Sequence, residues 1–424
     1  MKKHSIACSL AFAMMVLATT ILTMSCAGDT QINPQLKQVT KLSIATKKID
    51  LPKGSATRFG EPVLAFDADG NGMTDLVWKD MDSNLFLLEG DATKFSVADR
   101  LSIFEREDVG EHWFVATKLF RPDEKYRYIL ASSTKELVLL DTANLKLKEV
   151  QRDNETTFTI SGICGDFVIF GSDIDRDGRE EIVDNGNVYE WDGKRFSPSN
   201  TLPHIGAHTN ETAFADIDGD GSDEVISNAR EHSLEQLKVS RLRNGAWLKV
   251  PVTTDETQTN EVLPLGDIDG DGNSEIATVV TGEAAVGIAV YDYQSGHLVK
   301  VYSGSFTKPR RGRQHPERIK SVSCRDLDGD GKNEILITTE DIIPDAAQGN
   351  SYFVAYRYML FTWKHDKLVE LTSGDVINPR VIAGDSSFLI VSAVPDKEKG
   401  PYNIEDVLKN ENLQATEIAC RWSK

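Results

Sequence analysis

Three features of the sequence predict an all-β fold built from repeated four-stranded units. An acidic loop motif occurs five times, and each copy is followed by a strand-forming run such as "IATVV" after Glu275. Between the loops lie hairpin patterns such as "VYEWDGKRF" and "LFTWKHDKLVEL". Most copies recur at intervals of roughly 40–60 residues, which is typical of propeller blades. The fold class predicted is therefore a seven-bladed β-propeller of four-stranded antiparallel blades.

The N-terminus has the pattern of an export signal over residues 1–26. Lys2 and Lys3 precede the apolar run "IACSLAFAMMVLATTILTM", and "SCAGD" supplies small residues at its end. The segment "TMSCAG" resembles the processing site of bacterial lipoproteins, which makes Cys26 a lipidation candidate. Cleavage after Ala27 and a retained membrane anchor are the alternatives. Each of the three places the rest of the chain outside the cytoplasm: on the outer membrane or cell surface, or else periplasmic or secreted.

Residues 27–54 begin as a polar tether and end in a strand-like pattern. We expect that second half to add a strand to the last blade and close the ring. Residues 55–424 are predicted to form the propeller. Eight blades remain an alternative if the tether region contributes more strands.

The repeated motif reads "DADGNGMTDLVW" from Asp67, "DIDRDGREEIVD" from Asp173 and "DIDGDGSDEVIS" from Asp216. The last two copies are "DIDGDGNSEIAT" from Asp267 and "DLDGDGKNEILI" from Asp326. Position six is glycine in every copy, and positions two and ten are apolar. We expect these two apolar positions to anchor the loop in a core.

The motif matches the needs of a hard cation. Ca²⁺ takes about 6–8 oxygen ligands from carboxylates, amides, carbonyls and water. Alternate residues at positions one, three and five point inward, and a permissive glycine lets the chain turn. A carboxylate at position nine closes the cage. Position seven carries five unrelated side chains, which indicates that its backbone carbonyl is the ligand.

We therefore predict up to five structural Ca²⁺ sites. Positions one, three and five are Asp67, Asp69, Asn71, Asp173, Asp175, Asp177, Asp216, Asp218, Asp220, Asp267, Asp269, Asp271, Asp326, Asp328 and Asp330. Position seven is Met73, Arg179, Ser222, Asn273 and Lys332, and position nine is Asp75, Glu181, Glu224, Glu275 and Glu334. The Asn71 site, with one carboxylate fewer, is expected to bind most weakly.

Three other interpretations of the loop are less favoured. An acidic turn stabilised by Asx hydrogen bonds would not require five copies with matched spacing. Mg²⁺ prefers to keep its waters and a strict octahedron. An EF-hand needs an acid at position twelve and flanking helices, whereas only Asp184 is acidic there and strand formers follow each loop.

The spacing of the loops predicts seven units. The interval from Asp67 to Asp173 is about twice the others, so a unit without a loop is expected between them. The segment "HWFVATKLFRPDEKYRYILASSTKELVLLDTANLKL" fits that second unit, and "PRVIAGDSSFLIVSAV" fits a seventh. Trp191 and Trp363, in the outer hairpins, are expected to pack between blades.

These units resemble FG-GAP/VCBS-type repeats, as in the integrin α-subunit propeller, and "FGSDIDRDGREEI" contains the Phe170–Gly171 pair. The resemblance covers nearly all of residues 55–420 and is most specific at the five loops. It implies that each loop joins the first and second strands of a blade and binds Ca²⁺.

Composition excludes several partners. The formal net charge is −19, which argues against nucleic acid and against direct adsorption to anionic lipid. Contact with a membrane is expected only through the N-terminal lipid or anchor.

No nucleophile, HExxH or phosphate-loop motif is present in the sequence, so no enzyme is predicted. We expect an exported binding, adhesion or scaffold module for an extracellular protein or glycan. A carbohydrate-active enzyme, such as a polysaccharide lyase, is the alternative.

One basic loop, "TKPRRGRQHPER", is a candidate for partner binding on this acidic protein. It joins two blades, so it is expected on the face opposite the acidic loops. Its cationic residues would meet an anionic glycan or an acidic protein. They are Lys308, Arg310, Arg311, Arg313, His315 and Arg318.

Overall fold

In the part of the chain that a computed structural model describes, the regular structure is β-strand, apart from one short 3-10 turn at Ala143–Leu145. Strands form where β-branched and aromatic residues cluster, and they end at Gly, Asp and Asn. The residues that the structure describes are 41–52, 61–80, 84–103, 113–117, 128–132, 137–153, 170–184, 187–191, 196–201, 212–231, 234–253, 262–281, 286–306, 318–344, 352–376, 379–384, 387–393 and 413–423.

The strands are numbered along the chain. They are β1 (Lys41–Asp50), β2 (Glu61–Phe66), β3 (Asp75–Lys79), β4 (Asn84–Gly90), β5 (Phe95–Ser102), β6 (Trp113–Thr117), β7 (Tyr128–Ser132), β8 (Leu137–Asp141), β9 (Lys148–Asp153), β10 (Phe170–Ser172), β11 (Glu181–Asp184), β12 (Asn187–Trp191), β13 (Phe196–Thr201), β14 (Thr212–Ala215), β15 (Glu224–Glu231), β16 (Leu234–Arg243), β17 (Ala246–Val250), β18 (Val252–Thr253), β19 (Val262–Gly266), β20 (Glu275–Thr281), β21 (Val286–Gln294), β22 (His297–Ser305), β23 (Arg318–Arg325), β24 (Glu334–Pro344), β25 (Tyr352–Trp363), β26 (Leu368–Val376), β27 (Arg380–Ala383), β28 (Ser387–Ala393) and β29 (Leu413–Ser423).

These strands form seven sheets, and each sheet is one blade. The first six blades run in chain order from β2 to β26, with four consecutive strands in each. The first strands of neighbouring blades contact one another from the fourth blade round to the third, with β2 against β27. The third and fourth blades meet in an apolar cluster that contains Val183 and Val225, so the ring is closed. The prediction of seven four-stranded antiparallel blades is confirmed, and the eight-blade alternative is wrong. The fifth blade carries one addition, because β18 pairs in parallel with the outer strand β22.

The seventh blade combines both ends of the described chain. Its strand order is β27, β28, β29 and then β1, so the N-terminal strand is the outermost one. Ile49 and Leu51 pack in one apolar cluster with Leu76 and Trp78 of the first blade. The propeller belongs to a compact unit, Ile44–Arg421. A second unit, Met1–Ser43 with Trp422–Lys424, lies almost wholly outside the described residues.

The core lies between the blades. The second and third strands of a blade are buried on both faces, which explains why "DLVWK" and "NLFLLEG" read as continuous apolar runs. Trp191 tilts against Phe196 with ring centroids 4.8 Å apart, and Trp363 meets Tyr302 edge to face at 5.8 Å. Both tryptophans are buried in apolar clusters that join two blades, Trp191 with Leu130 of the second blade and Trp363 with Ile288 of the fifth, so the prediction that they pack between blades is confirmed.

The antiparallel order of each blade gives the propeller two different ends. Connections between first and second strands, which are the acidic loops, lie at one end. Connections from one blade to the next lie at the other end. The basic segment 307–318 links β22 to β23 and is therefore a connection of the second kind. Only its last residue, Arg318, is described; Lys308, Arg310, Arg311, Arg313 and His315 lie outside the described residues. The export signal and Cys26 also lie outside them.

Candidate metal centres

The acidic loops are named here after their blades: loops one, three, four, five and six. In each of them the carboxylate at position nine is buried and accepts a hydrogen bond from the backbone N–H of position two. The five pairs are Ala68 to Asp75 (2.8 Å), Ile174 to Glu181 (2.8 Å), Ile217 to Glu224 (3.1 Å), Ile268 to Glu275 (2.8 Å) and Leu327 to Glu334 (3.0 Å). This bond ties the end of the loop to its beginning.

Apolar residues on either side hold this bond in the core. Ile217 and Ile268 at position two are fully buried, and so are Ile276 and Ile335 at position ten. The prediction that positions two and ten anchor the loop is therefore confirmed in these loops. The loop cannot leave its place without exposing apolar side chains to water.

The aspartate at position one organises the turn. Its Oδ2 accepts from the N–H of the position-six glycine in every loop, for example Gly272 to Asp267 at 3.0 Å. That glycine has a positive φ, 94° at Gly272 and 80° at Gly72, which side chains rarely adopt. The backbone at position four is also left-handed. Four loops have glycine there, and loop three has Arg176, whose φ is 68°. Comparison of the five copies within the sequence identifies only the glycine at position six as required.

These bonds bring carboxylates together. In four loops the carboxylates of positions one, three and nine have oxygens within 4.8 Å of one another; in loop five the trio is positions one, three and five. Position five otherwise stays near the surface, and its side-chain oxygen accepts from the N–H of position seven, as Asp330 does from Lys332 at 2.9 Å. The predicted acids thus converge at five places. The carbonyl role of position seven stays a prediction.

Several carboxylate oxygens of the acidic loops are buried without a hydrogen-bond partner among the described residues. They include Oε1 of Glu224, Oε1 of Glu275, Oδ1 of Asp173 and Oδ1 of Asp218. A buried anionic oxygen without a partner is costly. Each belongs to a carboxylate whose other oxygen is already hydrogen-bonded within the protein. The donor set is all oxygen and lies at a shared centre, so it fits a divalent cation that prefers hard ligands.

Burial changes the titration of the position-nine acids. It raises the pKa of Glu181, Glu224 and Glu275 to about 8, that of Glu334 to about 7 and that of Asp75 to about 6. The hydrogen bond from position two lowers each pKa in part, and the neighbouring aspartates raise it again. Without a cation, position nine therefore holds its proton to a higher pH than an exposed carboxyl does, up to about pH 8 in loops three, four and five.

Loop four differs from the others in carrying two arginines. Arg241 Nη1 donates to Asp218 Oδ2 at 2.7 Å, and Arg243 contacts Asp218 at 3.6 Å and also pairs with Asp220. Arg241 and Arg243 come from β16 of the same blade. The other oxygen of Asp218 remains unpartnered. These guanidinium groups orient one side of the carboxylate and leave its other side toward the centre.

Neighbouring loops are joined by a repeated backbone bond. The N–H at position eight donates to the carbonyl of position one in the preceding loop: Asp223 to Asp173 at 2.8 Å, Ser274 to Asp216 at 2.8 Å, and Asn333 to Asp267 at 2.7 Å. Loops three, four, five and six thus form one hydrogen-bonded row. Within the described residues, loop one makes no such bond; its Thr74 Oγ1 donates instead to Glu417 of the seventh blade at 3.3 Å.

Position seven contributes more than its backbone to this row. Ser222 Oγ donates to the carbonyl of Ile174 in the preceding loop at 3.2 Å. Lys332 Nζ contacts the carbonyl of Asp269, and the Asn273 side chain lies against Gly219. The interpretation that only the carbonyl matters at position seven is therefore incomplete. The side chains differ because each meets a different neighbour.

Comparisons with known proteins find only distant similarity in sequence and structure. No family model matches the chain. Cartilage acidic protein 1 of Xenopus tropicalis is 28% identical over 149 residues, which is 35% of this chain and 22% of that protein's length. Among solved structures, the WD40 domain of Toxoplasma gondii coronin has a TM-score of 0.46 at 10% identity, covering 91% of this chain and 87% of that one. A Lactobacillus plantarum protein has a TM-score of 0.44 at 12% identity, with coverages of 74% and 84%. The fold assignment rests on the sheet order of this chain.

The part of the chain that the structure describes contains no helix long and apolar enough to cross a membrane.

The raised pKa values predict how pH affects the cation-free protein. Between the usual pKa of glutamate, 4.5, and about 8, the folded state binds more protons than the unfolded state. Stability of the chelated protein should therefore fall as pH rises through that window. Calorimetric melting in chelator at a series of pH values measures this. Glu275→Gln removes one buried charge and should stabilise the chelated protein at pH 8 by about 2–4 kcal/mol. A melting temperature that rises with pH throughout would contradict the account.

Proposed function

We propose that the five loops bind Ca²⁺ and that the ions are structural. The observation that carries this proposal is the set of buried, unpartnered carboxylate oxygens, such as Glu224 Oε1 and Asp218 Oδ1, at centres formed only by oxygen ligands. Positions one, three, five and nine of each loop would hold the ion. A bound cation neutralises carboxylates that otherwise repel one another, and in loops three, four and five it replaces the proton that position nine holds up to about pH 8.

Extracellular calcium levels suit such sites. Modules that bind Ca²⁺ outside cells commonly do so at about 10⁻⁴–10⁻³ M. Loop one is the candidate for the weakest site, because Asn71 donates from its amide to Asp69 Oδ2 at 3.1 Å and contributes no charge. Its Met73 side chain is exposed.

We further propose that the propeller is an exported binding, adhesion or scaffold module of the FG-GAP/VCBS type. Support comes from the export pattern of residues 1–26, from the seven-bladed ring and from the loops at one end. The step from architecture to function is an analogy, because propellers serve many functions. The partner proposed is an extracellular protein or glycan. Anchoring through Cys26 would hold the module at a membrane surface.

Binding without turnover is the outcome expected of a module. The mature protein should be applied to glycan and extracellular-protein arrays in millimolar Ca²⁺, and each ligand found should then be incubated with it and analysed for cleavage. Retention of intact ligand supports the module. Unsaturated sugar products would instead support the alternative, a polysaccharide lyase, and would overturn the proposal.

The hydrogen-bonded row predicts that cation binding is coupled between loops three to six. Asp267→Asn with Glu275→Gln removes the loop-five site, and it should also weaken at least one other site by about fivefold or more. The physical reason is that Asp267 and Ser274 link loop five to loops six and four. Calorimetric titration of chelated protein with Ca²⁺ gives the number of sites and their constants.

Loop one supplies the matched control. Asp69→Asn with Asp75→Asn should remove one binding event and leave the other constants unchanged, because loop one lies outside the row. Equal effects of the two double variants on the remaining sites would show that the row does not carry coupling.

A further inference from the structure

One residue on the third strand of each blade lies opposite position nine of the acidic loop. Position nine begins the second strand, so the register of the second and third strands, extended by one residue, identifies it. Residues directly opposite on antiparallel strands point to the same side, with Cβ atoms about 4.5–5.5 Å apart. This third-strand residue is called here the opposing residue. In the fourth, fifth and sixth blades the pairs are Glu224 with Arg241, Glu275 with Asp292, and Glu334 with Thr362.

The opposing residue of loop four is a cation tied to the acids of the loop. Arg241 Nη1 donates to Asp218 Oδ2 at 2.7 Å and lies 3.5 Å from the Tyr293 hydroxyl of the fifth blade. Arg243, two residues further along β16, contacts Asp218 at 3.6 Å and pairs with Asp220. A guanidinium group is always protonated in a protein. Two permanent positive charges therefore compensate two of the four carboxylates of loop four.

The opposing residue of loop five adds a fifth carboxylate to its loop. Asp292 is 7% exposed; its Oδ2 accepts from Gln294 Nε2 at 2.8 Å, and its Oδ1 is buried without a partner among the described residues. Glu275 beside it also has a buried oxygen without such a partner, Oε1. Burial raises the pKa of Glu275, and the charges of Asp269 and Asp292 raise it further. Loop five therefore carries an excess of buried negative charge.

Cations from neighbouring loops do not account for this difference. The side chain of Arg176 in loop three lies against Gly221 of loop four. The ammonium of Lys332 in loop six contacts the backbone carbonyl of Asp269 in loop five. Each of the two loops thus receives one cation from a neighbouring loop. What distinguishes them is the third strand, which brings two guanidinium groups to loop four and a carboxylate to loop five.

We propose that the opposing residue sets how strongly a loop holds its cation, so that loop five binds Ca²⁺ more tightly than loop four. This inference rests on the proposed binding of Ca²⁺ to the loops and ranks two sites of the row. The guanidinium charges of loop four repel a divalent cation, whereas the buried charge of Asp292 attracts one. As the Ca²⁺ concentration rises, loop five fills before loop four.

Orientation of ligands by the arginines does not reverse this ranking. Arg241 holds Asp218 in place, which by itself favours binding. A neutral donor does the same without adding positive charge: in the sixth blade, Thr362 Oγ1 donates to Glu334 Oε1 at 3.3 Å. The guanidinium groups therefore provide an orientation that a hydroxyl can also provide, together with a repulsion that a hydroxyl does not.

Calorimetric titration of the metal-free mature protein with Ca²⁺ tests the ranking. Asp292→Asn keeps the shape of the side chain, removes its charge and should weaken one site by about tenfold. Arg241→Met should strengthen a different site by about tenfold, and Arg241→Lys, which keeps the charge, should not. The effect of Asp292→Asn should disappear in a chain whose loop-five site is already removed by Asp267→Asn with Glu275→Gln.

Two further variants separate charge from structure. Thr362→Asp places a carboxylate opposite position nine of the sixth blade and should strengthen the loop-six site. The corresponding residue of the third blade, Glu190, is exposed, so water screens its charge. Glu190→Gln is therefore the matched control and should leave every constant unchanged.

Each outcome decides the inference. Unchanged constants in both Asp292→Asn and Arg241→Met, at unchanged melting temperatures in Ca²⁺, would overturn the ranking and leave Ca²⁺ binding itself intact. A weaker site in Arg241→Met would also overturn it, because the arginine would then act by orienting Asp218. If Arg241→Met does not fold, Asp292→Asn and Thr362→Asp decide. If the metal-free parent takes up no Ca²⁺, the proposed function of the loops fails, and this inference fails with it.

Discussion

A buried carboxylate that accepts a hydrogen bond from the second residue of its own loop is the interaction on which this structure depends. Glu275 shows it well: Oε2 accepts from Ile268, Oε1 is buried without a hydrogen-bond partner among the described residues, and Ile268 and Ile276 are fully buried on either side. Apolar burial fixes where the carboxylate must lie. The carboxylate in turn fixes how two strands of a blade are joined.

That position carries an electrostatic cost. The raised pKa of Glu275, about 8, expresses how strongly burial disfavours its charge. A proton or a cation removes the cost, but only a cation also satisfies the aspartates at positions one and three. Backbone hydrogen bonds also join neighbouring loops; the N–H of Asn333, for example, donates to the carbonyl of Asp267. Charge neutralisation inside one loop therefore bears on the geometry of the next blade.

The sequence was sufficient to predict the repeated features of the structure, which are the acidic loops and the blades. Five copies of one motif revealed which positions are constrained, and their spacing predicted seven blades, including the two without loops. Positions two, nine and ten were identified because their residue types vary little between copies, as Ile217, Ile268 and Leu327 illustrate. A repeated pattern within one chain separates what the fold requires from what it tolerates.

Features that depend on contacts between units could not be predicted in this way. Ser222, Asn273 and Lys332 looked unrelated because each meets a different partner in the preceding loop. Arg241 lies 23 residues after Asp218, and only the pairing of β15 with β16 brings the two together. Such contacts depend on which side chains the ring places side by side, and no local sequence pattern records this.

The central claim is that cations at the acidic loops stabilise the propeller, and thermal melting tests it most directly. The mature protein should be made metal-free, with removal verified by elemental analysis, and melted at neutral pH in excess EDTA and in millimolar Ca²⁺. The account predicts a clearly higher melting temperature with Ca²⁺ and a smaller increase with Mg²⁺. An unchanged melting temperature between EDTA and Ca²⁺ would contradict it.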